Sequence, residues 1–418
     1  CSSDAVASDT DTIYLEEVIV TAQKKMESQQ SVPMVLSAVT SDQLDSAGIK
    51  SIDSLSQVIP GLVVNNVGSL MLPFIRGVGA FNGGAATYSS VAIYIDGVYT
   101  ARSNALAFSL DNIEQVEVLK GPQSTLYGRN ATGGAITVTT LTPSPGDEPS
   151  GKFRVSAGNY NQRRLSGYVA SGMGDMFAAS ATFAKAERDG FVENLATQTY
   201  LETDDNDVVN SQDEWTGGIK LAFEPNDSFS GVLSASHQEF DDSAGLSFKQ
   251  ASESFSRQIN TAVGDLYNPE LPSEWETYTH FGARHGKNDA VNLSLNANFE
   301  TFYLVSISGY ARNKLHLETE VGGLPIPLSG FSADWDTATY SQEIRLHSDT
   351  DDALQWMAGV QYFNEGDDSS KINGVAGKGA QTFLPASQLL IIPVGDADWE
   401  SKSNAVFGEV VYSFADDF

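Results

Sequence analysis

In "VNLSLNANF", Val291, Leu293, Leu295, Ala297 and Phe299 fall on one face of an extended chain, and Asn292, Ser294, Asn296 and Asn298 on the other. "LQWMAGVQYF" repeats the pattern, with Leu354, Trp356, Ala358, Val360 and Tyr362 sharing a face. A period of two is strand geometry, and about ten such residues cross a bilayer when tilted. Ten alternating segments are readable, at 152–160, 163–172, 176–186, 214–224, 228–240, 289–299, 302–314, 337–347, 354–365 and 403–414. After the first pair, short turns ("GMGD", "EPNDS", "FETFY", "SDTDDA") alternate with long acidic, glycine-rich connections at 187–213, 241–288, 315–336 and 366–402. A soluble sandwich has no reason to keep its long loops on one side. A membrane barrel does, with short periplasmic turns and long outer loops.

The chain ahead of Gly151 reads differently. Residues 1–12 are small and acidic, a composition that favours disorder. "EEVIVTAQKK" then forms a β-prone island in a polar leader, either an ordinary first strand or a segment that adds to another protein's sheet edge. From Val32 to about Thr140 the pattern predicts a small α+β domain. "VPMVLSAV", "PFIRGVG", "VAIYIDGVYT", "IEQVEVLK" and "GAITVTT" supply strands. "TSDQLDSAGIKSIDSLSQVIPGL" predicts one or two short helices, with Ser41 or Asp42 as N-cap and Gly48 and Pro60-Gly61 as stops.

One loop in that domain invites a nucleotide reading. "GPQSTLYGRNATGG", Gly121 to Gly134, is glycine-rich, but a phosphate loop needs a lysine and a Ser/Thr running into a helix. Here Arg129 takes the lysine's place, and a β-branched run follows.

Composition narrows the classes. The 418 residues carry a formal charge of −30, which argues against a nucleic-acid partner. Cys1 is the one cysteine, so no internal disulfide and no cysteine metal site is available. It is either a lipidated first residue or the stub of a trimmed precursor. No run of 18 apolar residues occurs, which excludes a spanning helix, while 10% aromatic and 19% charged residues suit strands with polar loops. Five scattered histidines (His237, His280, His285, His316, His347) show neither metal nor triad spacing, and "TDDNDVVNSQDEW" lacks the ligand pattern and glycine turn of a calcium loop. No catalytic residue, metal ligand or cofactor is expected.

With both parts in view, the chain resembles the TonB-dependent outer-membrane receptors of the iron-complex subgroup. "EEVIVTA" is similar to the TonB box, with Glu17, Val18, Ile19, Val20 and Thr21 as its residues. "VPMVLSAVTSDQLDSAGIKSIDSLSQVIPGLVV", "FIRGVG", "VAIYIDGVY" and "IEQVEVLKGPQSTLYGRNATGGAITVTT" resemble successive plug motifs. "SQEIRL", "WMAGVQYF" and "AVFGEVVYSFAD" resemble wall strands. The resemblance implies a transmembrane β-barrel with an α+β plug in its lumen, divided as leader 1–25, plug 26–145 and the first part of the barrel 146–418. It also makes the glycine loop a tight plug turn. Family barrels have about 22 strands. A plug of about 110 residues, with a radius of gyration near 13 Å, does not fit inside ten strands. The expectation is therefore an N-terminal portion holding about half the wall.

The implied function is TonB-coupled import of a scarce ligand, with a ferric siderophore as the expected cargo. Cobalamin or glycan import, and a barrel-type outer-membrane enzyme, are the alternatives. Implied partners are TonB with ExbB and ExbD, outer-membrane lipid and lipopolysaccharide, and a small-molecule ligand. By position, Asn65, Asn66, Phe81, Asn82 and Arg102 are the candidate ligand contacts. Residues 16–22 are expected to be mobile or poorly packed. Alternation turns Glu343, Arg345 and Glu409 toward the lumen, and the resemblance implies a plug–barrel lock of Arg76 and Arg129 with Glu343 and Glu409. Pairing of those arginines with Glu114 or Glu117 inside the plug is the alternative.

Overall fold

The computed structural model describes residues 18–21, 24–25, 27–30, 32–49, 51–67, 70–80, 88–102, 112–195, 208–243, 257, 261, 275–277, 282–320, 329–348, 353–376, 390–412 and 414. Two short strands of the leader, β1 (Ile19–Val20) and β2 (Glu27–Ser28), pair antiparallel. The plug follows as β3 (Leu36–Thr40), α1 (Ser41–Ser46), a 3₁₀ turn (Asp53–Gln57), the hairpin β4 (Leu62–Val67) and β5 (Leu70–Ile75), β6 (Val91–Ile95), β7 (Val98–Tyr99), β8 (Ile113–Lys120), α2 (Ser124–Tyr127) and β9 (Gly134–Thr140). Its main sheet runs β3-β8-β9-β6-β7, with β6 and β9 parallel and the other neighbours antiparallel.

That sheet is buried on both faces, so its strands read as apolar runs rather than alternations. Val91, Ile93, Val116, Val118, Ile136 and Val138 pack toward α1, the 3₁₀ turn and the β4–β5 hairpin, against Leu44, Leu55 and Ile59. Ala92, Tyr94, Leu119 and Ala135 form the other face, with Leu126 and Tyr127 of α2 and with Met357 and Phe363 of the wall. Thr40, rather than Ser41 or Asp42, caps α1, its N–H donating to Gln43 Oε1 at 3.1 Å. The strand simply runs one residue into the helix start. Gly48 and Gly61 stand at the expected stops with φ +70° and +81°.

The glycine loop joins β8 to β9. Gly121, Gly128 and Gly134 all have positive φ, and a Cβ on Gly134 would meet the Leu119 carbonyl oxygen at 2.2 Å. The glycines let two neighbouring strands close on each other; backbone crowding, not a phosphate, accounts for them.

The wall begins with β10 (Ser150–Ala157), β11 (Arg163–Met173) and β12 (Phe177–Arg188). A small satellite sheet interrupts it, made of β13 (Val192–Asn194), β14 (Val208–Val209) and a later β17 (Glu276–Thr277). The wall itself continues through β15 (Gln212–Asn226), β16 (Phe229–Asp242), β18 (Gly282–Phe299), β19 (Phe302–Glu320), β20 (Ser329–Ser348), β21 (Leu354–Ala376) and β22 (Leu390–Tyr412). These ten long strands form one antiparallel sheet in chain order, with β10 and β22 as its two edges. The sheet wraps the plug and stays open.

All ten expected segments are strands, but the last five extend well beyond their alternating cores, into 282–288, 315–320, 329–336, 366–376 and 390–402. Above the bilayer the outer face meets water and turns polar, while inward side chains such as Leu315, Leu317 and Asp367 stay buried, so the lipid-facing alternation ends although the ladder continues.

Two aromatic belts mark the membrane band on the outer face. Phe177 stacks on Phe223, and Phe299 on Phe302, both at 4.8 Å between ring centroids, at the short-turn end. Trp215, Tyr310, Tyr340 and Tyr362 lie higher, with exposed Ile219, Leu233, Val291, Ile344 and Val360 between the belts. Along β19, Phe302 to Tyr310 spans roughly 20 Å of height for a tilted strand. This matches an apolar band of membrane-barrel thickness.

Candidate functional site

The chemistry-bearing side chains converge where plug meets wall, and the leader enters that interface from the short-turn end. Val18 and Val20 pack into the plug's wall-facing cluster, Val20 with 1% exposure. Thr21 donates from its backbone N–H (2.7 Å) and Oγ1 (3.1 Å) to Glu117 Oε1. Gln115 Nε2 donates to the Ile19 carbonyl at 3.0 Å and to the same Glu117 oxygen at 3.1 Å. Burial raises the Glu117 carboxyl above the usual carboxylate range, and the Thr21 hydrogen bonds oppose that rise.

The expectation of a loosely packed 16–22 segment is thereby corrected for the described residues 18–21, which are docked. The cause is local. β-branched Val18 and Val20 fall on the inner side of a two-residue ladder with β2 and find an apolar surface there. Glu17 lies outside the described residues.

Beyond the docked strand, Lys24 inserts its ammonium between plug and wall. Its Nζ donates to Glu343 Oε1 and Oε2 at 2.7 and 2.8 Å, and it lies over the rings of Phe407 and Tyr127 at 4.8 and 5.6 Å. The two side chains are 7% and 6% exposed. Burial pulls the Lys24 pKa from 10.5 down to about 8, and Glu343 opposes the fall. Arg345 Nη1 and Gln361 Nε2 complete the shell around Glu343 at 2.7 and 3.3 Å.

Further along the wall, Arg102 Nε donates to Glu365 Oε1 at 2.7 Å, its guanidinium 4.7 Å from the Trp399 ring. Arg129 lies beside it, over Tyr88 and Phe363 at 4.4 and 4.5 Å, with Nη2 donating to Ser401 Oγ at 3.2 Å. Elsewhere Asp45 of α1 receives Arg154 (2.7 Å) and Lys152 from β10. Asp96 of the β6–β7 turn receives Lys220 from β15 at 3.0 Å.

The expected lock is therefore corrected. Among the described residues, neither Arg76 nor Arg129 forms an ion pair with Glu343 or Glu409, and neither pairs with Glu114 or Glu117. Arg76 occupies an exposed tight turn at φ +51°, near Lys120 rather than a carboxylate. Arg129 is committed to rings and a hydroxyl. Glu343 does face inward as alternation requires, and Lys24 and Arg345 neutralise it. Glu409 pairs in register with the buried Met357 on the same inward side and makes no ion pair among the described residues.

The ligand candidates do not form one cluster. Asn65 is half-buried on β4, and the Asn66 side chain, Phe81 and Asn82 lie outside the described residues. Arg102 serves as a plug–wall tie. Lys24, Asp45, Asp96, Lys220 and Glu365 were not anticipated. The wall members were signalled by charges at inward positions, such as Lys220 between the outward Ile219 and Leu221. Their partners carried no sequence signal.

A family model described as TonB-dependent Receptor Plug Domain matches residues 28–135. The chain is 30% identical to the pesticin receptor of Yersinia pestis over 215 residues, covering 50% of this chain and 30% of that one. It is 26% identical to a vitamin B12 transporter of Photobacterium profundum over 280 residues, 65% and 44% of the two chains. The solved ferripyoverdine receptor of the outer membrane of Pseudomonas aeruginosa superposes with TM-score 0.72 at 15% identity, over 96% of this chain and 52% of that one. The matched region thus spans less than half of these curated relatives. Residues 28–135, held inside a lipid-facing antiparallel wall, thus carry the TonB-dependent receptor plug domain, and plug and wall together have the fold of a solved outer-membrane receptor.

Proposed function

We propose that this chain forms the plug and part of the wall of a transporter that imports a ferric siderophore across the outer membrane, driven by TonB with ExbB and ExbD. The observation that carries the reading is the docked segment Val18–Thr21. It is a minimal strand at the short-turn end, held by one two-residue ladder and the Thr21–Glu117 hydrogen bonds. Such a segment can exchange its few backbone bonds for those of an added partner strand. Because Lys24 follows directly, force on the segment reaches the Glu343 tie and the plug behind it. The aromatic belts sit against lipid and lipopolysaccharide. The ferripyoverdine receptor among its likenesses supports a ferric chelate as cargo. The site's chemistry is one of ties to be broken, which fits a transporter rather than a catalyst.

Cobalamin is the second reading, favoured by the longer aligned span with the vitamin B12 transporter. The test uses Val18→Pro and Ile19→Pro in the full-length receptor, which remove a backbone donor and fix φ. Binding and uptake of radiolabelled ferric hydroxamate and catecholate chelates are measured, with cobalamin in parallel. Binding is retained and uptake is lost. Uptake at the parental rate in both variants sinks the TonB assignment, and uptake of cobalamin alone replaces the siderophore.

A further inference from the structure

The plug is not fastened evenly to the wall. Toward β20–β22 the interface is closed by Met357, Phe363 and Phe407, by the Lys24–Glu343 and Arg102–Glu365 ion pairs, and by Arg129. Toward β12, β15, β16 and β18 it is open. A cavity of about 940 Å³ rises from the leader, past Thr21, Lys24 and Tyr303, between plug and wall. A second, of about 200 Å³, lies further in, along Ser180, Thr182, Ser236, Gln238 and Asn288. The two share four lining residues: Asp96, Lys220, Ser234 and Asn292.

At that junction one tie crosses the gap. Lys220 Nζ reaches from β15 to Asp96 Oδ2 (3.0 Å), the Thr140 carbonyl (3.0 Å) and Thr142 Oγ1 (2.8 Å). The Asp96 carboxylate is in turn gripped by the Thr140 N–H and Oγ1 at 2.8 and 2.7 Å. Next to it the turn abuts the wall tightly: Cβ atoms on Gly97 and Gly309 would meet Ile307 and Val98 at 2.8 and 2.5 Å.

We infer that this seam is the solute path along the wall this chain supplies, and that the Asp96–Lys220 pair is its gate. The larger cavity is within the 300–1,000 Å³ of ordinary small-ligand sites, whereas the smaller one is below it. The constriction therefore sits at and beyond the pair, and passage requires its separation. The lining mixes apolar groups such as Val98 and Leu141 with hydroxyls and carboxamides, and those polar groups exchange hydrogen bonds with a moving solute. The solute class is a compact polar chelate that presents hydroxyl, amide or carbonyl oxygens. One largely buried ion pair with the Lys220 hydrogen bonds is all that has to part here, whereas toward β21 two ion pairs and whole apolar side chains would have to leave a packed core.

The inference rests on the import reading, and two measurements keep them apart. In the first, Ser234→Cys is placed in a full-length receptor lacking Cys1, and its reaction with a small charged methanethiosulfonate reagent is timed in isolated outer membranes. Adding Asp96→Asn raises the rate at least about fivefold, while Ser403→Cys on β22 reacts at an unchanged rate. Equal rates at Ser234→Cys with and without Asp96→Asn overturn the gate, whatever the receptor imports. In the second, Asp96→Cys and Lys220→Cys are bridged by a short bis-methanethiosulfonate reagent. Bridged receptor binds the radiolabelled chelate but stops importing it, and reduction restores import. Unchanged import by bridged receptor places the path elsewhere. If the unbridged parent imports no chelate, the import reading fails, and the labelling rates still decide the gate.

Discussion

Lys24 and Glu343 meet at 2.7 Å across the plug–wall interface, in a contact that links the leader directly to the barrel. Both side chains are almost fully withdrawn from water, and the ammonium also faces two aromatic rings. The tie lies three residues beyond the strand that TonB is proposed to take, so leader release and loss of this pair are one event.

Its pH dependence has a definite sign. The docked Lys24 has a pKa of about 8, against 10.5 when the leader is free. Between those values the released state binds more protons, so docking strengthens as pH rises from about 8 to 10.5 and is insensitive to Lys24 below that window. Thiol labelling at Ile19→Cys, divided at each pH by the rate of a free-thiol control that corrects for thiolate fraction, should fall progressively over this range and hold steady between pH 6 and 7. Lys24→Met should abolish the trend.

Arg102 and Glu365 are 13% and 0% exposed, so removing one partner strands a buried charge. Glu365→Ala should destabilise plug–wall association by about 3–5 kcal/mol. The paired replacement Arg102→Met with Glu365→Met should recover most of the loss. A double-mutant cycle on the calorimetric transition of the plug measures it, and additive losses would show that the two side chains act separately.

Gly134→Ala should cost roughly 2–4 kcal/mol, a large value for one added methyl group. The residue has φ +142°, and the new Cβ would overlap a carbonyl of the adjacent strand. Gly146→Ala has a positive φ but open space around its Cβ, and should cost clearly less. The same calorimetric transition compares the two.

Leu293→Arg places a guanidinium in lipid near the middle of the apolar band, at about 2–4 kcal/mol. Asn296→Arg, on the cavity-lining side of the same strand, should be far milder. Heat-resistant migration of the full-length barrel should fall for the first and persist for the second.

The strands, their inward and outward faces and the tight turn at Gly121–Gly134 were all legible in the residues. A strand's faces depend on a period of two, and a turn's φ depends on glycine; both are local. The same locality explains what was missed. Where the wall rises above the membrane, as in β21 beyond Glu365, the outer face turns polar and buried polar residues such as Asp367 and Ser370 line the inner one, so the apolar alternation ends although the ladder continues. The leader strand was expected to be loose because it has to leave the barrel to pair with TonB, whereas an apolar patch on the plug decides that Val20 is buried.

The ion pairs mark the sharper limit. Alternation places Glu343 in the lumen, and the family likeness points to an arginine partner, but Lys24 occupies that carboxylate from 319 residues away. A charge's face is set by its neighbours along the chain. Its partner is set by depth in the barrel and by which plug element passes that depth, and only the packed tertiary structure brings those two heights together.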